Sequence, residues 1–164
     1  MKKEKFTFFW GGEFSQWYDS PMTIRGVDYS CAEQYMMAEK ARLFGDAENE
    51  ARIMATTSPS EQKMYGRCVK GFDKDLWEKH CKRIVYIASW EKYTQNPELM
   101  KLLLATEGTT IVEASPWDRI WGIGLKETDP RCLDRNEWRG TNWLGQVLMQ
   151  VRDEFIKHGK EDDD

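Results

Sequence analysis

The chain has 164 residues, 40% of them hydrophobic and 32% charged, a composition that suits one soluble globular domain able to close its own core. Its net charge of -4 at pH 7, with Lys and Arg scattered and not in a run, argues against gripping long stretches of nucleic acid by phosphate neutralisation. No apolar stretch could span a bilayer as a helix, and Met1-Lys2-Lys3-Glu4-Lys5 lacks the apolar core of a signal peptide, so a cytoplasmic protein without a membrane partner is expected.

In chain order, Phe6-Thr7-Phe8-Phe9-Trp10 reads as a buried strand ended by Gly11-Gly12. Ile24 to Tyr29, with Gly26 at its centre, reads as a short hairpin, and these pieces together suggest a small sheet. From Ser30 the apolar period lengthens to that of a helix. Ser30 and Glu33 fit a capping box, and the helix is expected to continue to about Phe44. A second helix follows over Ala47 to about Ala55. Ser58-Pro59-Ser60-Glu61 repeats the start signal, Asp73 opens a longer helix through Trp77 and Trp90, and Asn96-Pro97 ends it and opens another to about Ala105.

Thr110 to Ala114 is a β-branched strand that runs into Ser115-Pro116-Trp117-Asp118, which sets Asp118 at a strand exit, and Trp121-Gly122-Ile123-Gly124 follows as a loop. Thr128 to Gly140 has no assignable period. The last helix shows Leu144, Val147, Leu148, Val151 and Phe155 at helical spacing. The expected organisation is one domain over residues 1–158 with an acidic, frayed tail over 159–164. Strands segregated from helices indicate an α+β class: a helix-rich domain with a small mixed sheet.

Cys31, Cys68, Cys81 and Cys132 form no C-x-x-C pair and have only His80 and His158 to supplement them. The thiols therefore read as buried and reduced, and no metal or other cofactor is expected. Neither a P-loop nor a dinucleotide-binding glycine motif occurs, and the two histidines are poorly placed for acyl chemistry. Carboxylates remain. Glu33 opens a helix and Asp118 leaves a strand, both beside aromatic residues, and a carboxylate pair is what glycosyl hydrolysis requires. The plainer readings are a capping-box acid for Glu33 and an Asx-turn residue for Asp118. Eight tryptophans, several in Gly- and Pro-rich segments, could supply either core bulk or a stacking pocket for a base.

Several stretches together resemble the NADAR domain family, the YbiA-like proteins. They are Phe14-Ser15-Gln16-Trp17, Ala32-Glu33-Gln34-Tyr35 through Lys40, Ser58-Pro59 with Gly66-Arg67, and Trp77. Further on come Lys92-Tyr93-Thr94-Gln95-Asn96, Leu102-Leu103, Val112-Glu113 through Asp118, Trp121, Gly122 and Gly124, and finally Gly140 to Gly145. The match runs from about Phe6 to Phe155. The resemblance implies a YbiA-like fold and N-glycosidase chemistry on ribosylated bases. The substrate would be a phosphoribosylamino-pyrimidine intermediate of riboflavin synthesis, or ADP-ribose attached to guanine in DNA or RNA. A noncatalytic module that binds ADP-ribose or a nucleotide is the alternative.

The resemblance places Glu33 and Asp118 as catalytic residues, with Trp121 stacking on the base or walling the sugar. Lys40, Arg67 and Lys92 are candidates for the substrate's phosphate, and Gly122, Asn142, Phe14 and Trp17 complete the expected binding set, Asn142 being equally readable as a helix cap. One departure stands out: many members carry His directly after the Glu, where this chain has Gln34.

Overall fold

A computed structural model describes residues 3–163, the side chains of residues 160–163 apart. Met1, Lys2 and Asp164, the end of the expected tail, lie outside the described residues. The strands are β1 (Phe6–Phe9), β2 (Met22–Ile24), β3 (Val27–Tyr29) and β4 (Thr110–Glu113). The helices are α1 (Ala32–Leu43), α2 (Ala47–Met54), α3 (Pro59–Arg67), α4 (Lys74–Gln95), α5 (Pro97–Leu104) and α6 (Trp143–Asp163). The expected α+β class holds. Backbone contacts divide the chain into two compact units: one of residues 1–15 with 98–164, the other of residues 16–97.

The second unit is built around α1. Residues 32–38 are buried without interruption, so α1 has no solvent face over its first two turns; α2, α3 and α4 all pack on it. The flanking helices start where their caps dictate. Asp46 accepts from the Asn49 N–H, Ser58 from that of Glu61 with Pro59 at the first helical position, and Asp73 from that of Leu76. β2 and β3 form an antiparallel hairpin whose turn residues Arg25 and Gly26 both have positive φ, 52° and 79°, the geometry that matches strand twist in a two-residue loop.

In the first unit β1 and β4 pair in parallel, Phe6 opposite Thr110 through Phe9 opposite Glu113. The opening strand therefore joins not the hairpin, as the sequence suggested, but a strand about a hundred residues away in a separate two-stranded sheet. Val112, Ile123, Leu125 and Cys132 form a buried cluster beneath Phe6, Phe8 and Trp138. α6 lays Leu144, Val147, Leu148 and Val151 into the core, each burial contributing roughly 1.5–3 kcal/mol relative to exposure. The helix also takes in residues 159–163 of the segment expected as a tail. The unassigned stretch before it holds two short 3-10 turns, Pro130–Leu133 and Arg135–Glu137. Among the described residues no helix is long and apolar enough to cross a membrane. Cys31, Cys81 and Cys132 are buried as expected, whereas Cys68, just past the end of α3, is exposed.

Candidate active site

The start of α1 is where the capping-box expectation fails. The N-cap is Cys31, and the side chain that reaches back to the Ser30 backbone N–H is that of Gln34, at 2.8 Å. The Gln34 amide also donates to the carbonyls of Ile53 and Thr56, both at 3.1 Å, tying α1 to the end of α2 and the loop before α3. Gln34, the residue that departs from the family's usual His, thus performs the capping that the sequence assigned to Glu33. Glu33 enters the helix with its own N–H donating to the Gln16 carbonyl, and its side chain stands only 6% exposed. A carboxylate at that depth costs several kcal/mol unless charge or hydrogen bonding offsets it, and a simple cap has no need of it.

Lys40 lies seven residues further along the same helix, which returns it to the face of Glu33. Burial pushes the Lys40 ammonium below its ordinary pKa, the Glu33 carboxylate acts to raise it, and the Arg67 guanidinium adds to the lowering. The Glu33 carboxylate and the Arg67 guanidinium are therefore each close enough to act on the Lys40 charge. The Lys40 Nζ is 4.7 Å from the Phe72 ring centroid and 5.7 Å from that of Trp77, which holds the cation in place without neutralising it. Lys92 differs. Only 2% exposed, it has its Nζ 5.1 Å from the Tyr93 ring and 5.8 Å from that of Tyr18.

An open cleft of about 350 Å³ lies beside the start of α1, lined by Trp17, Asp19, Ser30, Cys31, Thr57 and Pro59. Burial pushes the Cys31 thiol up, and the nearby Glu33 carboxylate adds to the rise, which puts Glu33 close to this wall. Trp17 was expected at the site. Asp19 was missed, although its place two residues past Trp17 in the irregular segment before Pro21 was a signal available in the sequence.

The remaining expected residues belong to the first unit. Parallel pairing directs the carboxyl ends of β1 and β4 to one edge, where Phe14 packs edge-on against Phe9 at 5.8 Å and the loop from Ser115 begins. Asp118 Oδ1 accepts the N–H groups of Ile120 at 2.9 Å and Trp121 at 2.8 Å, which is the Asx turn of the plainer reading. The carbonyls of Ile120 and Trp121 then take the N–H groups of Trp143 and Leu144, occupying the open donors at the start of α6. The Trp121 ring meets Trp143 edge-on at 5.8 Å.

Gly122 is buried, and a Cβ there would stand 2.9 Å from the Glu113 carbonyl. Asn142, with φ 53°, is 2% exposed and spends its amide on β4, Oδ1 accepting from the Glu113 N–H and Nδ2 donating to the Ile111 carbonyl, both at 3.0 Å. Both residues hold the loop and α6 against the strand, a positioning place in the fold and not an exposed ligand surface.

Comparison with known proteins shows the family. The NADAR domain model matches residues 8–156. "N-glycosidase R617" of Acanthamoeba polyphaga mimivirus is 42% identical over 94% of this chain and 98% of its own length. "Riboflavin biosynthesis protein PYRR, chloroplastic" of Arabidopsis thaliana is 32% identical over 76% of this chain, which there accounts for 19% of the longer protein. The NMR structure of the Escherichia coli protein YbiA superposes with a TM-score of 0.80 at 26% identity, covering 98% of this chain and 90% of that one. The chain belongs to the NADAR domain family.

Proposed function

We propose that the chain hydrolyses the N-glycosidic bond of a phosphorylated ribosylamino-pyrimidine, with Glu33 at the reacting carbon. The observation that carries this reading is a deeply buried carboxylate sharing a helix face with Lys40, on whose charge the Arg67 guanidinium also acts. That arrangement supplies, in one place, a base or countercharge for the sugar and cations for its phosphate. The names of the relatives, N-glycosidase and riboflavin biosynthesis protein, support the bond type and a link to riboflavin synthesis.

In the reaction, water adds its oxygen to the ribose C1′ as the bond from C1′ to nitrogen breaks, the electron pair leaving with the nitrogen. Glu33 takes a proton from the water and returns it to the departing amine, so the products are a ribose phosphate and a free aminopyrimidine. The same carboxylate stabilises the cationic sugar as charge builds on it. Lys40 and Arg67 hold the phosphate. Asp118 and Trp121 enter as residues that fix the loop after β4, since the Asp118 Oδ1 is committed to that turn.

The test offers purified protein two substrates, the phosphoribosylamino-pyrimidine and an oligonucleotide carrying ADP-ribosylated guanine, and follows released product by chromatography. Ribose phosphate from the first is the expected result. ADP-ribose from the second in preference would move the substrate to modified nucleic acid, and binding of either without turnover would make the chain a ligand-binding module.

A further inference from the structure

The cleft beside α1 has a chemistry distinct from the phosphate end. Its polar wall carries the exposed carboxylate of Asp19 and the hydroxyls of Ser30 and Thr57, and its flat wall is Trp17, 44% exposed. Ser30 is already engaged: its hydroxyl donates to Gln34 Oε1 at 3.1 Å and accepts from Gln62 Nε2 at 3.3 Å. Asp19 makes no ion pair or hydrogen bond among the described residues. The cleft therefore offers one acceptor group of full negative charge next to an indole face. The face draws electron-poor groups already, for the Lys63 Nζ lies 5.8 Å from the ring centroid.

The Asp19 carboxylate disfavours a phosphate at its own end of the cleft and favours groups that carry N–H donors. A planar heterocycle bearing exocyclic amines satisfies both walls, stacking on Trp17 while its N–H groups donate to the carboxylate. Cys31, the N-cap of α1, lines the same cleft two residues before Glu33, so a base seated there lies beside the start of the helix that carries the proposed catalytic group.

The geometry points to Trp17 and Asp19 as the base subsite, with Asp19 selecting substrates by the amines on the leaving heterocycle. This rests on the hydrolase reading for its kinetic consequence, and on the cleft alone for its binding consequence. Trp17 is the platform and Asp19 the discriminator, while Lys40 and Arg67 remain the anchor for the other end of the substrate.

Two measurements on the full chain separate the two claims. In the first, triaminopyrimidinone and an unsubstituted pyrimidinone are titrated into wild-type, D19A, D19N and W17A proteins by calorimetry. Wild type should bind the aminated ring at least about tenfold more tightly; D19A should lose that preference, D19N should keep part of it through its amide oxygen, and W17A should weaken both rings. In the second, kcat/KM is measured on the phosphoribosylamino-pyrimidine and on its analogue lacking the ring amines. D19A should fall about tenfold on the first and less than about twofold on the second. Amine-selective binding that depends on Asp19, without turnover, would keep the subsite and overturn the hydrolase. Turnover with unchanged selectivity in D19A would overturn the subsite and keep the hydrolase. Absence of amine-selective binding in the folded wild type would also overturn it.

Discussion

Two adjacent residues exchange the duties that the sequence suggests for them. Ser30 followed by Glu33 matches a capping box, yet the helix begins one residue later and Gln34 makes the return contact. A one-residue offset in a cap is invisible to a spacing rule, because Glu and Gln serve it equally well. Burial was also invisible: that Glu33 sits at 6% exposure follows from three helices surrounding α1, which no local pattern encodes. Lys40 was legible as a cation in the same motif as Glu33, and its ammonium lies over the rings of Phe72 and Trp77. K40M should raise KM for the phosphorylated substrate about tenfold with a much smaller change in kcat, and should leave KM for the dephosphorylated nucleoside unchanged. Asp118 invites a paired comparison. D118N keeps an acceptor for the Ile120 and Trp121 N–H groups and should unfold in urea close to wild type, whereas D118A strands both donors and should lose about 1–2 kcal/mol. A folded D118N protein as inactive as one altered at Glu33 would return Asp118 to the chemistry.

Helix starts were the most readable elements. Asp46, Ser58 and Asp73 cap where polar side chains precede apolar periods, because the cap is a contact within four residues. The stretch before α6 was not readable, since its structure is set by distant partners. The loop from Arg119 to Ile123 pairs along residues 139–144, and the glycines within that segment are spacers for close approach. Gly145, just past that segment, is tighter than Gly122 or Gly140: a Cβ there would fall 2.1 Å from the Ile111 carbonyl and 2.4 Å from the Asn142 amide. G145A should push α6 off β4, cost upwards of about 3 kcal/mol in a denaturation curve, and break the Asn142 contacts with it. Wild-type stability in G145A would mean that α6 and β4 do not pack as described.

On the scale of the whole chain, one compact unit is discontinuous, made of residues 1–15 with 98–164, and the other is the intervening segment. The sequence showed β1 and β4 as strands but not that they pair, because a parallel ladder between segments so far apart leaves no turn signature. The α+β class was readable, since helix and strand patterns occupy different parts of the chain. Family membership was readable too, because the motifs recur in order over nearly its full length, and the domain match over residues 8–156 bears that out. What the proposed function draws on is a carboxylate placed inside the helical unit on the helix face of Lys40. The most direct measurement compares wild type and E33Q, matched for circular dichroism and melting temperature, in releasing ribose phosphate from the phosphoribosylamino-pyrimidine. Wild-type turnover with a loss of about 10²–10⁴ in kcat for E33Q is the predicted result. A normally folded E33Q protein that keeps the wild-type rate would contradict the account.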